Sequence, residues 1–330
     1  MFINSLIMST FITISSNSWM GMWIGLEINM LSIIPLMNNI KNSYSSEASM
    51  KYFIVQAISS SILMLTMILM IKSMIFSFYM NMTLNLILNS SILTKMGAAP
   101  FHFWFPEIME GLNWINCFIM MTWQKIAPMI LLSYSMFNIQ FLIMIIMFSM
   151  VIGGIMGLNQ TNLRKILTYS SINHMSWMIS SMLLMESIWF YYLVVYSLIL
   201  SNLILILNKF NIFHMKQFFF LCSKNSLNLY LYSMNFLSMG GLPPFIGFFP
   251  KWLIIQNMIN ENFIFLAYLM IILTLITLFY YIRMMFSTLT LNINEVNFLK
   301  NKNNNNFLIN LMNFMNIVSL PFCTLLFNFS

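Results

Sequence analysis

The chain has 330 residues, of which 60% are hydrophobic and only 6% are charged. A soluble domain is about half apolar and about a quarter charged, so this composition excludes a soluble globular protein. The net charge of +7 would suggest nucleic-acid binding in a soluble chain. In a membrane protein we interpret it as a signal of topology, and we expect no nucleic-acid partner.

The apolar stretches predict an all-α polytopic membrane protein with about eleven transmembrane helices. A span needs about 20 predominantly apolar residues, and the segments follow one another with short connections. They lie near 2–17, 19–38, 52–76, 85–112, 114–136, 140–158, 165–184, 188–208, 229–258, 262–286 and 307–328. The first segment is the weakest, because a run of serine and asparagine shortens its apolar part.

The positive charges support this number of spans. If the spans alternate in direction, the N-terminus and the loops after even-numbered spans carry nearly all lysines and arginines outside the membrane. The opposite face carries only Lys72. The positive-inside rule places such a basic face in the cytoplasm or, in a mitochondrion, in the matrix. We therefore predict the N-terminus on the basic side and the C-terminus on the other side.

The fourth and ninth spans contain similar segments. Met96–Glu107 reads MGAAPFHFWFPE and Gly240–Lys251 reads GGLPPFIGFFPK. Two prolines six residues apart, just after glycine, cannot lie in a continuous helix, so each segment predicts two half-helices joined by unwound backbone. Such backbone at membrane depth is tolerated only where it is buried in protein or lines a polar cavity. The alternative is a chance recurrence of Gly/Pro pairs.

The separation of the two segments predicts an inverted repeat. Because they lie five spans apart, they cross the membrane in opposite directions, which gives a five-plus-five inverted repeat with two broken helices. Matching broken segments of this kind mark the pathway of many transporters. The predicted halves are 1–136 and 137–286, and 287–330 is predicted to form a polar loop and a C-terminal transmembrane helix.

Four charged residues lie within these apolar segments: Glu27, Lys95, Lys125 and Lys251. A charge in hydrocarbon costs at least about 2.5–3.5 kcal/mol, so such residues face a protein interior, a partner or a water path. Lys125 lies near the middle of its span, and a desolvated lysine there can gain and lose a proton near neutral pH. The alternative for Lys125 is a static lysine paired with a structural carboxylate.

The other three charges suggest a pair and a helix-end lysine. Glu27 needs a basic partner, and Lys95, next to the first helix break, is the natural candidate. Such a pair is either a switchable ion pair or a fixed pair that serves only assembly. Lys251 follows the second break. Without a break it would be an interfacial lysine whose ammonium reaches the membrane surface.

Two histidines and one further lysine complete the candidate proton pathway. His102 lies inside the first break. His174 lies in span seven among serines and an asparagine, forming a polar stripe that could carry water. Lys165 begins the same helix and is the expected access point from the basic side. The alternative for each histidine is a hydrogen-bonded core residue.

The sequence contains no pattern for a redox centre. It has no dinucleotide fingerprint and no P-loop, and its three cysteines, Cys117, Cys222 and Cys323, are far apart. We therefore expect no cofactor-binding or metal site in this chain.

Five long motifs together resemble one known family. The motifs are Trp23–Pro35, Lys95–Glu107, Thr122–Pro128, Gly157–Trp177 and Gly241–Trp252. They closely resemble the subunit 2 family of mitochondrial NADH dehydrogenase, the antiporter-like membrane subunits of respiratory complex I. The composition, rich in Met, Phe and Asn, is similar to that of proteins from AT-rich mitochondrial genomes such as those of insects.

The resemblance implies a location, partners and residue roles. It implies a multi-pass protein of the mitochondrial inner membrane, with the N-terminus in the matrix and the C-terminus on the intermembrane-space side. Its partners would be other membrane-arm subunits, including neighbouring antiporter-like and accessory subunits, and lipids such as cardiolipin. NAD, FMN, iron–sulfur clusters and ubiquinone would belong to other subunits. Glu27 and Lys95 would match the family's glutamate–lysine pair, Lys125 its central lysine, and Lys251 the lysine of the second broken helix.

The sequence thus predicts a membrane subunit of complex I that takes part in proton translocation coupled to electron transfer from NADH to ubiquinone. Two alternatives remain at this stage. One is a free-standing cation/proton antiporter, and the other is a purely structural membrane subunit.

Overall fold

The computed structural model describes residues 1–39, 42–73, 78–136, 138–218 and 226–290, together with Phe314. The described residues form thirteen helices. Helices suit a lipid environment because they form the hydrogen bonds of the backbone N–H and C=O groups within the segment itself. In chain order they are α1 (Phe2–Ser15), α2 (Trp19–Met37), α3 (Ser43–Ser73), α4 (Phe78–Met96), α5 (Trp104–Gly111), α6 (Trp114–Met121), α7 (Trp123–Tyr134), α8 (Ile139–Leu158), α9 (Leu163–Leu184), α10 (Glu186–Phe210), α11 (Ser226–Gly240), α12 (Phe248–Asn260) and α13 (Ile264–Thr290).

Within the described ranges, six helical segments are long and apolar enough to cross a membrane. They are α2, α3, the pair α6–α7, α8, α10 and α13. Helix α1 has only 14 residues, fewer than the about 20 that a span needs. Helix α9 has 22 residues but is more polar, and it is buried along most of its length. The predicted last span, 307–328, lies outside the described residues except for Phe314.

The two predicted helix interruptions are confirmed, since α4 and α5 are separate helices, as are α11 and α12. The first half-helix in each case closes with a glycine in the left-handed region, Gly97 with φ 72° and Gly241 with φ 79°. The N–H groups of the glycine and the next residue bond back to carbonyls of the last turn, which is a Schellman closure. Every turn bond of the first segment has a counterpart at the aligned position of the second.

A third interruption, which the sequence analysis did not predict, lies at Thr122 between α6 and α7. The Phe118 carbonyl accepts from the Thr122 N–H at 3.0 Å and also from the Thr122 hydroxyl at 2.7 Å, and such a shared carbonyl often bends a helix. Pro128 lies one turn into α7 and has no N–H for the carbonyl of Gln124, which loosens the preceding turn. The helix therefore restarts just before Lys125.

Contacts among the helices divide the chain into two units. The first contains Met1–Gly153 and Leu167–Glu186, and the second contains Gly154–Ile166 and Ser187–Ser330. In the first unit, α2 packs against α1 and α3, α3 packs against α4 and α5, and α4 packs against α7. In the second unit, α13 packs against both α11 and α12, the two halves of the second broken helix.

Candidate functional site

Lys125 lies in the interior of the first unit, with only 2% of its surface exposed. Its Nζ donates a hydrogen bond to the backbone carbonyl of Ser171 in α9 at 3.4 Å. The same nitrogen lies 5.6 Å from the centre of the Phe105 ring, within the range of a cation–π interaction. Phe105 belongs to α5, directly after the first helix break. The restart of the helix at α7 thus brings the central lysine between α5 and α9.

Lys95 and Glu27 lie in the same unit without forming an ion pair. Lys95 occupies the last turn of α4 and is buried, and the carbonyl groups at a helix C-terminus favour a positive charge there. Glu27 is half-buried on α2. No ion pair within 4 Å joins these two described side chains. Opposite charges that lie farther apart still attract each other, and more strongly near a protein than in bulk water.

A polar cavity in the first unit connects Lys95 to the helix that carries Lys125. Asn29 and Gln124 exchange two side-chain hydrogen bonds, each of 3.0 Å, across this region. The Tyr52 hydroxyl donates to Gln124 Oε1 at 3.4 Å. The cavity has a volume of about 10 Å³, close to the lower limit for one water molecule. Its lining residues are Leu26, Asn29, Met30, Tyr52, Gln56, Lys95, Gln124 and Pro128.

Sequence reasoning did not find the amides that line this cavity. Asn29 and Gln124 are 95 residues apart in sequence, so no local pattern pairs them. The available signal was weak: each amide lies within an apolar segment, where a polar side chain requires a partner.

Lys251 lies in the interior of the second unit and is held by the end of a helix. Its Nζ donates to the backbone carbonyls of Gly240 at 2.8 Å and Met239 at 3.4 Å. These carbonyls belong to the last turn of α11, whose negative dipole end favours an ammonium group. The lysine stem crosses Gly241, where an added Cβ would lie 2.9 Å from Lys251 Cδ and Nζ. The break thus forms a backbone site for this lysine.

The two broken segments use corresponding carbonyls in different ways. In the first segment, the carbonyl of Lys95 accepts from Gln56 Nε2 at 3.3 Å. The aligned carbonyl of the second segment, that of Met239, accepts from Lys251. Glu107, which aligns with Lys251, is exposed instead. It forms an ion pair of 3.0 Å with Lys51.

The structure also places the remaining predicted residues. His102 is buried, and its Nδ1 lies 3.3 Å from the Pro100 carbonyl. His174 is buried on α9, one turn after Ser171, the residue whose carbonyl accepts from Lys125. Lys165 is half-buried near the start of α9, in a part of the chain assigned to the second unit. The described residues contain no group of three or more His, Cys, Asp or Glu side chains that could hold a metal ion.

Buried lysines at helix interruptions, together with a small polar cavity, are typical of membrane proteins that transport ions or protons. The family model described as NADH:quinone oxidoreductase/Mrp antiporter, TM, matches residues 16–277. The chain therefore belongs to the NADH:quinone oxidoreductase/Mrp antiporter transmembrane family.

Relatives that align with nearly the whole chain identify a particular protein group within this family. The chain is 50% identical to NADH-ubiquinone oxidoreductase chain 2 of Aedes aegypti over 98% of its length and 96% of the relative's. It is 46% identical to the chain of the same name in Anopheles gambiae, over 97% of its own length and 94% of the relative's. Within the family, the chain thus belongs with the chain 2 proteins of NADH-ubiquinone oxidoreductase.

Solved structures agree on the fold. The chain superposes on one chain of respiratory complex I from Thermus thermophilus with bound aureothin, with a TM-score of 0.85 and 19% identity. This alignment covers 97% of the chain and 76% of the matched chain. A chain of the Mrp complex from Dietzia matches with a TM-score of 0.73 and 13% identity, over 86% of this chain and 59% of that one. The chain therefore has the all-α antiporter-like membrane fold.

Proposed function

We propose that this chain is the antiporter-like membrane subunit of mitochondrial respiratory complex I and that its buried lysines carry protons. Its relatives are named as chain 2 of NADH-ubiquinone oxidoreductase, which favours this function over a free-standing antiporter or a purely structural subunit. Electron transfer from NADH to ubiquinone takes place in other subunits, which hold NAD, FMN, the iron–sulfur clusters and ubiquinone.

The observation that carries the proposal is the burial of three lysines at or beside helix interruptions. The exposed fractions of Lys95, Lys125 and Lys251 are 8%, 2% and 6%. Lys125 and Lys251 donate to backbone carbonyls, which are neutral acceptors. A backbone carbonyl is neutral and can face the lysine both before and after the ammonium group releases its proton.

The Glu27/Lys95 pair is the input of this pathway. A conformational or charge change in the partner subunits alters the field of Glu27 at Lys95, and this change acts on the proton held by Lys125. From Lys125 the proton passes towards Lys251, with His102, His174 and Lys165 as further members of the pathway. Moving one charge across 100 mV requires about 2.3 kcal/mol. The Coulomb energy of two opposite charges somewhat beyond ion-pair distance is of this order at an effective dielectric constant of about 20.

Neutralising both members of the input pair tests this role. In the assembled complex, the double variant Glu27→Gln/Lys95→Met leaves no single buried charge behind, so the subunit should still assemble. We expect the rate of NADH-driven proton uptake to fall about tenfold, equivalent to about 1.4 kcal/mol. This rate, called the proton yield below, is measured in liposomes that contain the assembled complex.

The matched control for this variant changes the same residue types at exposed positions. Lys72→Met/Glu261→Gln should leave the proton yield unchanged, since both side chains are exposed. A normal proton yield in the Glu27→Gln/Lys95→Met complex would contradict the role of the pair.

We further propose that the chain has eleven spans arranged as two inverted halves, 1–136 and 137–286, followed by a C-terminal segment, 287–330. The shared turn bonds of the two broken segments support the repeat. In this arrangement the N-terminus lies in the matrix and the C-terminus on the intermembrane-space side of the inner membrane. Other membrane-arm subunits, accessory subunits and lipids such as cardiolipin cover the exposed apolar surface.

Labelling of single cysteines tests this topology. We expect a cysteine at Lys209 to react with an impermeant thiol reagent only from the matrix side, and one at Lys72 only from the other side. The measurement compares mitoplasts with inverted membrane vesicles. Labelling of both positions from one side would refute the alternating arrangement of spans.

A further inference from the structure

The amide pair formed by Asn29 and Gln124 is one of the longest-range side-chain contacts of the first unit. Two hydrogen bonds of 3.0 Å join the side chains, so each amide both donates and accepts. Asn29 is 3% exposed and lies on α2, while Gln124 is the second residue of α7. We call this pair the amide clasp. It joins α2 to the first turn of α7.

The clasp lies where α7 needs external support. The interruption at Thr122 separates the first turn of α7 from α6. Pro128 further reduces the hydrogen bonding of this turn, because it cannot donate to the Gln124 carbonyl. Lys125 follows Gln124 directly in sequence, so the clasp restrains the backbone that carries the central lysine.

The clasp also borders the cavity of Lys95. Asn29 and Gln124 both line this cavity, and Tyr52 adds a third bond to Gln124 Oε1 at 3.4 Å. Gln124 therefore lines the same cavity as Lys95 and is also the residue directly before Lys125.

We propose that Asn29 and Gln124 are positioning residues that hold Lys125 at the Ser171 carbonyl and in register with Lys95. This inference rests on the proposed function, in which both lysines carry or control protons. A displacement of about 1 Å between reacting groups can reduce a rate about a hundredfold, so loss of this restraint should affect coupling more than folding. Loss of the Gln124 amide also removes both of these hydrogen bonds from the buried Asn29 side chain, and an unsatisfied buried amide destabilises the fold.

An exchange of the two side chains tests the clasp. In the assembled complex, Asn29→Gln lengthens one arm by a methylene and Gln124→Asn shortens the other. Each single variant should reduce the rate of NADH-driven proton uptake about tenfold, because the bridge no longer has the right length. The double variant Asn29→Gln/Gln124→Asn restores the total length and should recover most of the proton yield.

The control variant removes a different bond to the same helix. Asn116 donates from α6 to the Leu36 carbonyl of α2 at 2.8 Å and does not line the cavity. Asn116→Leu should keep the proton yield of the unmodified complex. If it reduces the yield as much as the clasp variants do, loss of any interhelical bond explains the effect and the inference is wrong.

The results of these variants distinguish a failure of the clasp inference from a failure of the proposed function. Reduced yield in both single variants with recovery in the double variant supports the clasp, because a general loss of stability would not be reversed by a second substitution. If the double variant is no better than the single ones, or if the single ones pump normally, the inference is overturned.

Lys125→Met is measured in parallel. Its failure to pump leaves the proposed function intact, whereas normal pumping overturns both.

Discussion

Replacing Lys125 by Met should abolish coupled turnover of the complex while leaving the complex assembled. Methionine has nearly the shape of the lysine stem, so it fills the same buried volume without a cavity. It cannot hold a proton, and the bond to the Ser171 carbonyl is lost. We expect coupled turnover to fall about a hundredfold or more, equivalent to about 2.7 kcal/mol. NADH-driven proton uptake by reconstituted liposomes measures it.

A second substitution at this position separates proton transfer from structural support. Lys125→Arg keeps a positive charge and a hydrogen-bond donor, but a guanidinium does not release its proton at physiological pH. If Lys125 carries protons, Arg should fail as Met does. If the lysine serves only as a buried structural cation, Arg should retain coupled turnover. Lys72→Met, at an exposed position, is the control and should behave as the unmodified chain.

Replacing Gly247 by Ala should disrupt the second broken helix. A Cβ at Gly247 would overlap the backbone carbonyl of Ser238 in α11, and a backbone atom cannot move away as the end of a side chain can. Helix α12 would have to shift away from α11, carrying Lys251 with it and lengthening the bond to Gly240. Overpacking of this kind costs about 1–3 kcal/mol or more. The amount of assembled complex and its inactivation temperature measure the effect.

Gly154 provides the matched control for this substitution. It lies within α8, and an added Cβ would meet its nearest atoms, those of Ile276, at 3.4 and 3.5 Å, which are ordinary contacts. Gly154→Ala should therefore be neutral or slightly stabilising, since alanine is favoured over glycine in a helix by about 1 kcal/mol. If both substitutions had the same effect, close approach at Gly247 would not be the cause.

The broken helices could be predicted from sequence because their signals are local. Gly97 and Gly241 are each followed by a pair of prolines six residues apart, and this pattern excludes a continuous helix whatever surrounds it. The burial of Lys95, Lys125 and Lys251 could also be predicted, because a charged side chain within an apolar membrane segment avoids the lipid by facing the protein interior. These features depend on a dozen neighbouring residues, which is the range over which sequence patterns are informative.

The arrangement around the lysines could not be predicted in the same way. The clasp between Asn29 and Gln124 depends on how α2 and α7 pack. The interruption at Thr122 arises from a single hydroxyl and a proline six residues later, a combination that many continuous helices contain. The expected Glu27/Lys95 pair shows the same limit: sequence gives the two charges but not the distance between them.

The backbone acceptors of Lys251 have a consequence for mutational tolerance. Two of the atoms that accept from its ammonium are the main-chain oxygens of Met239 and Gly240, and every amino acid has such an oxygen. A substitution at Met239 changes a side chain but leaves the oxygen in place. Changes that move the backbone, such as those at Gly241 or Gly247, would displace these acceptors. Side-chain substitutions that leave the backbone in place can therefore occur here while Lys251 keeps both carbonyl acceptors.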